Sequence, residues 1–120
     1  MKIAFTTAGS DLDASLDSRF GRAPRFLIYD LESESFETVD NRRSMDSARG
    51  AGIQSAETVA RLRVESIVTK HCGPKAFRVL SAAGIRVFTT DEATVAEALA
   101  KFRSGQLIEA RSADVEGYWA

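Results

Sequence analysis

The sequence predicts an α/β fold, a mixed five-stranded sheet in the order 3-2-1-4-5 with helices packed on both faces. Three observations support it. Three strand-like segments come first, and the links between them favour antiparallel pairing. From Ser66 onward strand and helix alternate strictly, which favours parallel strands joined by helical crossovers. Finally, stop and start signals sit where that alternation needs them: Gly84 and Gly105 at helix ends, and Thr94 with Glu97 as a capping box.

Taken in order, Lys2–Thr6 reads as the first strand, followed by a turn at Ala8-Gly9-Ser10-Asp11 and an aperiodic stretch to about Ala23. A segment of that length without periodicity is commonly functional or mobile, and ordering of Ala8–Pro24 around a ligand is the expectation. Arg25–Leu31 is apolar on both faces, as a central strand is. Glu32–Ser35 makes a hairpin turn into Phe36–Val39, whose Glu37 and Thr38 suit an edge strand. Asn41–Arg49 reads as a polar loop. After Gly50-Ala51-Gly52, apolar residues from Ile53 to Leu62 recur at helical spacing. Strand Ser66–Thr69, helix Pro74–Ala83, strand Arg86–Thr89 and helix Val95–Arg103 complete residues 1–108, the expected domain. Residues 109–120 are expected to form a flexible tail.

Composition narrows the function. Sixteen basic and seventeen acidic residues leave a formal charge of −1, so no general attraction to nucleic acid or an acidic membrane is expected. The start Met1–Thr7 lacks the apolar stretch of a signal peptide, and no run approaches a membrane span. The single cysteine has no internal partner for a disulfide, which suits the cytoplasm. A monomer is expected.

Three segments carry chemistry. Lys70-His71-Cys72-Gly73-Pro74 leaves a strand and enters a helix. Gly73 suits the N-cap and Pro74 the first helical position, so the free amides of that turn, the helix dipole and two lysines favour an anion. His71 and Cys72, the only residues of their types, are adjacent, and imidazole and thiolate both ligate copper, iron and zinc. A buried structural cysteine beside an exposed histidine is the competing reading. The second segment, Arg19-Phe20-Gly21-Arg22, offers guanidinium groups to an anion, or else pairs them with Asp13 and Asp17. The third, Gly50-Ala51-Gly52, lets backbone approach a ligand at a helix start, or is a plain entry turn. An open sheet in this order binds ligands in the crevice at the carboxyl ends of its strands, where these segments would meet.

The motifs DSRFGRAPRFLIYD, GAGIQSAETVARL, HCGPKAFRVLSAAGIRVF and TVAEALAKFRSGQL resemble the dinitrogenase iron–molybdenum cofactor-binding (nitrogenase accessory factor) family, and within it the small orange protein group. The resemblance spans nearly all of residues 1–108. It implies a ribonuclease-H-like three-layer fold. It also implies non-covalent binding of a metal–sulfur cluster: a molybdenum–copper sulfide, or the iron–molybdenum cofactor or its precursor. The cofactor-binding residues would be Arg19, Phe20, Gly21, Arg22, Gly50, Gly52, Lys70, His71, Cys72 and Gly73, with His71 and Cys72 nearest the metal. Lys70 stands where the family often has Gly, and many relatives lack Cys72.

Other activities fit less well. A nuclease of this fold needs carboxylates on central strands, yet Lys2–Thr6 has none and Asp30 has no partner. A thiol-redox enzyme needs a resolving cysteine. A hydrolytic Cys–His pair needs side chains converging from distant places, not neighbours in sequence. The expectation is therefore a binding protein without catalysis. The alternative is a regulatory module for another small anion or for a partner protein, with Tyr118 and Trp119 available for contact.

Overall fold

The computed structural model describes residues 1–42 and 50–112. Its strands are β1 (Lys2–Thr7), β2 (Arg25–Asp30), β3 (Ser35–Asp40), β4 (Ser66–Thr69), β5 (Arg86–Thr89) and β6 (Ile108–Glu109). Its helices are α1 (Ala51–Arg61), α2 (Pro74–Ala82) and α3 (Val95–Arg103). One mixed sheet has the order β3-β2-β1-β4-β5-β6. β2 runs antiparallel to β1 and β3, whereas β4 is parallel to β1 and β5 to β4.

The predicted order of the first five strands is observed, and the sheet has one strand more than expected. β6 pairs antiparallel with β5 through Phe88↔Glu109 and Thr89↔Ile108. Two residues are too few to show periodicity, and Ile108 is 80% exposed, so no hydrophobic pattern marks them. An ion pair holds them instead: the Arg86 guanidinium donates to Glu109 Oε1 at 2.8 and 3.0 Å. The Ala110 amide then donates to the Val87 carbonyl at 2.7 Å, so pairing continues past the expected end of the domain at residue 108. Residues 113–120 of the expected tail, with Tyr118 and Trp119, lie outside the described residues.

Side-chain alternation along the strands builds two cores. Ala4, Phe26, Ile28, Ile67 and Val87 face one side and pack with Ala56 and Val59 of α1 and Ala76 and Leu80 of α2. Their neighbours Ile3, Phe5, Leu27, Tyr29, Val68 and Phe88 face the other side and pack with Val95, Ala98 and Leu99 of α3. That is the predicted three-layer arrangement. Each fully buried Phe, Ile or Leu side chain contributes about 1.5–3 kcal/mol, so the two faces together fix the strand register. β3 lies at the edge with Glu37 and Thr38 exposed, as its composition indicated.

Helix ends follow the local signals. Gly84 and Gly105 adopt φ of 77° and 73° just past α2 and α3, where a side chain would be strained. The Thr94 hydroxyl accepts from the Glu97 amide at 3.2 Å, and the Glu97 carboxylate accepts from the Thr94 amide at 3.1 Å. Among the described residues no helix is long and apolar enough to cross a membrane.

Candidate functional site

β1, β3, β4 and β5 all point the same way, so the β1–β2 connection and the starts of all three helices gather at one edge of the sheet. This is the carboxyl edge, and every segment singled out from the sequence reaches it.

The β1–β2 connection is the segment expected to order around a ligand. Its backbone is bound to its surroundings: the Asp17 amide donates to the Thr6 carbonyl at 2.7 Å and the Leu16 amide to the Ala93 carbonyl at 2.9 Å. The Val95 and Ala96 amides donate to the carbonyls of Ala14 and Leu12 at 3.0 and 2.8 Å. Leu16 and Phe20 are buried, and the Phe20 ring lies 5.5 Å from that of Phe26. Gly9 is needed for the first turn, because a Cβ there would collide with the Cβ of Ala14. These anchors are single residues and backbone groups, which leave no periodic trace in a sequence.

Arg19 and His71 form a parallel bridge, with the Phe20 amide donating to the His71 carbonyl at 3.1 Å. Beneath them the Thr6 hydroxyl lies 3.0 Å from the Thr69 hydroxyl, which in turn lies 3.4 Å from the His71 carbonyl. On the other side, the Ser55 hydroxyl of α1 lies 3.5 Å from the Gly21 carbonyl. The Asn41 side-chain amide donates to the Ala23 carbonyl at 2.8 Å. The segment Arg19–Arg22 is thus seated between the end of β4 and the first turns of α1. α1 and α2 also pack together in one core. Two of the three candidate segments touch directly, and the third joins them through α1.

Side chains sort by depth. Phe20, Gly21, Gly52, Cys72 and Gly73 are buried, Gly50, Lys70 and His71 are half-buried, and Arg19 and Arg22 are exposed. Cys72 is 1% exposed and belongs to the core beneath α1 and α2, with its Sγ 3.7 Å from the Gly73 carbonyl. The structure therefore puts the histidine at the rim and the cysteine in the wall.

The helix starts differ in a way that bears on ligand charge. The N-cap of α1 is Gly50 (φ 109°) and that of α2 is Gly73, followed by Pro74; at neither does a side chain accept from the first-turn N–H groups. α1 starts two residues earlier than its periodicity suggests, because glycine at positive φ lets the chain turn directly into the helix. Neither first turn contains an acidic residue, whereas that of α3 is closed by Glu97. Two helices on one face thus offer N–H groups and positive dipole ends, with Lys70, Arg19 and Arg22 around them. Among the described residues no group of three or more His, Cys, Asp or Glu side chains is placed to hold a metal ion. Such a donor set suits an anion.

Asn41 and Ser55 carry no functional signal in the sequence. Asn41 opens a polar stretch that reads as loop, and Ser55 interrupts an apolar helix face. Both are buried, 1% and 0% exposed, and buried polar groups require partners.

Fold and site together define a three-layer α/β protein with an anion-suited rim at the carboxyl edge of its sheet. The chain belongs to the dinitrogenase iron–molybdenum cofactor family, whose model matches residues 1–105. Among solved structures, the apo orange protein of Desulfovibrio gigas is 39% identical with a TM-score of 0.91, over 95% of this chain and 96% of that one. A protein of Thermotoga assigned to the DUF35 family is 35% identical with a TM-score of 0.78, over 90% and 91% of the two chains. An uncharacterized protein of Methanocaldococcus jannaschii is 30% identical over 95 residues, which are 77% of this chain and 80% of the relative.

Proposed function

We propose that this chain binds and carries an anionic metal–sulfur cluster without covalent attachment, and performs no catalysis on it. The carrying observation is the meeting of Arg19–Arg22 with Lys70–Gly73 beside the two glycine-started helices α1 and α2. The family's description, which concerns the iron–molybdenum cofactor of dinitrogenase, supports that class of ligand.

In this reading the cluster is cargo, and protein groups hold it by charge and hydrogen bonds. Arg19, Arg22 and Lys70 supply positive charge. The first-turn amides after Gly50 and Gly73 donate to sulfide, and Gly52 keeps the start of α1 narrow. Phe20 and Gly21 form the floor. His71 reaches the cluster from the rim, and Cys72 stands behind it as a neighbour, because a preformed sulfide cluster needs no protein thiolate. The proposed cargo is a molybdenum–copper sulfide, or the iron–molybdenum cofactor or a precursor. The proposed setting is a cytoplasmic monomer that hands the cluster to a recipient protein.

Protein purified from its own host, studied by native mass spectrometry with elemental and sulfide analysis and by absorption, tests this reading. A coloured protein with molybdenum, copper or iron and sulfide in fixed ratio, releasing the cluster intact on unfolding, is the expected result. A colourless protein that instead retains phosphate or another simple anion would overturn it in favour of an anion-binding regulatory module.

A further inference from the structure

We propose that Asn41 and Ser55 are positioning residues: a buried pair that holds Arg19–Pro24 in the shape that presents Arg19 and Arg22 to the cluster, without touching it. The inference rests on the cluster-carrying reading for its ligand, and on geometry for its mechanism.

The pair occupies a place where hydrogen bonds do more than stabilise. The Asn41 amide nitrogen donates both its protons, to the Ala23 carbonyl at 2.8 Å and to the Ser55 hydroxyl at 2.9 Å. The single Ser55 proton has two acceptors within reach, Asn41 Oδ1 at 3.2 Å and the Gly21 carbonyl at 3.5 Å. The Asn41 backbone amide adds a bond to the Pro24 carbonyl at 2.7 Å. Carbonyls of Gly21, Ala23 and Pro24 are thereby all directed inward onto β3 and α1. The Phe20 amide meanwhile is tied to His71 and its ring is fully buried. The chain is held at both ends of a few residues, and between the two ties Arg22 projects outward, exposed. Arg19 projects outward beside the bridge to His71.

Held this way, the arginines meet an anion with less of their freedom left to lose, and preorganisation of this kind raises affinity. Both ties are polar and enclosed, so losing one leaves carbonyls unsatisfied and lets the segment depart from the protein. An apolar residue at either position would fill the space as well but would not fix where the loop sits.

The experiment compares full-length Ser55→Ala and Asn41→Leu with Val59→Ala, a fully buried apolar change one turn further along the same helix. Each apo variant is measured for its thermal midpoint and for the amide shifts of residues 19–23. Each is then titrated with tetrathiomolybdate and copper(I), following absorption. Ser55→Ala and Asn41→Leu are expected to move the Gly21–Ala23 amides and to weaken uptake about five- to tenfold. Val59→Ala is expected to lower the midpoint at least as far while leaving uptake within about twofold. Equal losses in all three variants would make the pair merely structural and overturn the proposal, as would unchanged Gly21–Ala23 shifts in the apo variants. Failure of the wild-type protein to take up the probe would count against cluster carriage, and the apo shifts would still decide whether the clamp exists. Ser55→Ala removes a single oxygen, so it keeps the test open if Asn41→Leu does not fold.

Discussion

The backbone amide of Phe20 donates to the carbonyl of His71 across 3.1 Å, joining the arginine segment to the end of β4. That bond makes neighbours of two motifs that are far apart in sequence. It also bears on dynamics, because amides enclosed by such bonds exchange only when the structure opens locally. The amides of Leu16, Asp17 and Phe20 should therefore exchange slowly in the apo protein, comparably with those of β1, while Ser10 and Asp13 exchange fast. Hydrogen exchange followed by NMR checks this. Fast exchange along all of residues 9–22 would restore the picture of a segment that orders only around its ligand.

Why the fold was legible and the clamp was not can be traced to particular residues. Phe26, Leu27, Ile28 and Tyr29 announce a strand covered on both faces, and Thr94 with Glu97 announces a helix start, because both signals are local. Gly73-Pro74 likewise marked the start of α2 to the residue. Asn41 and Ser55 act across the fold, and a single buried amide has no period to detect. β6 leaves no signal for a related reason: its two residues are held by Arg86 and by the edge of β5, not by any apolar pattern of their own. At the rim, sequence proposed the right neighbours, while only the structure separates the half-buried His71 from the enclosed Cys72.

Charge at the rim should govern uptake. Arg22→Glu replaces an exposed cation with an anion beside the proposed cluster, and exposed charges are screened over about 10 Å at 0.1 M salt. Titration with tetrathiomolybdate and copper(I) should show a loss of roughly tenfold or more at low salt that shrinks at 0.5 M, with little change in thermal midpoint. An equal loss at both salt concentrations would mean that the substitution acts through shape.

His71 and Cys72 should part company when substituted. Cys72→Ala removes a sulfur atom from a packed core and should cost about 0.5–1.5 kcal/mol of stability, leaving the metal ratio and the main absorption bands nearly as they were. His71→Ala acts at the rim, so stability should hold while the amount of cluster retained falls. Chemical denaturation and metal analysis of the two variants side by side make the comparison. If Cys72→Ala abolished uptake with the fold intact, the thiol would be a ligand and the non-covalent reading would be wrong.

Asp40 ends β3 at the same edge as the site, and Arg42 grips its carboxylate with Nε at 3.1 Å and Nη2 at 2.7 Å, while the Arg42 amide donates to it at 2.8 Å. These bonds favour the charged form, and the carboxyl is held down to about 2 from the usual 3.8. A group held below its unfolded value adds stability that is fully present above that value and is lost as pH falls toward the folded one. The contribution from Asp40 should thus be constant at neutral pH and fade between about 4 and about 2. The pair is exposed, so the effect on stability should be small, and the carboxyl's own chemical shift is the better readout. NMR titration should place its midpoint near 2, and Arg42→Ala should bring it back toward 3.8. At neutral pH the partnered carboxylate stays charged but has its field offset by Arg42, which lessens repulsion of an anion at this edge. Arg42→Ala should accordingly weaken cluster uptake at low salt although Arg42 is not among the proposed cluster contacts. Uptake unaffected by Arg42→Ala at low salt would show that Asp40 is too well screened from the cluster to matter.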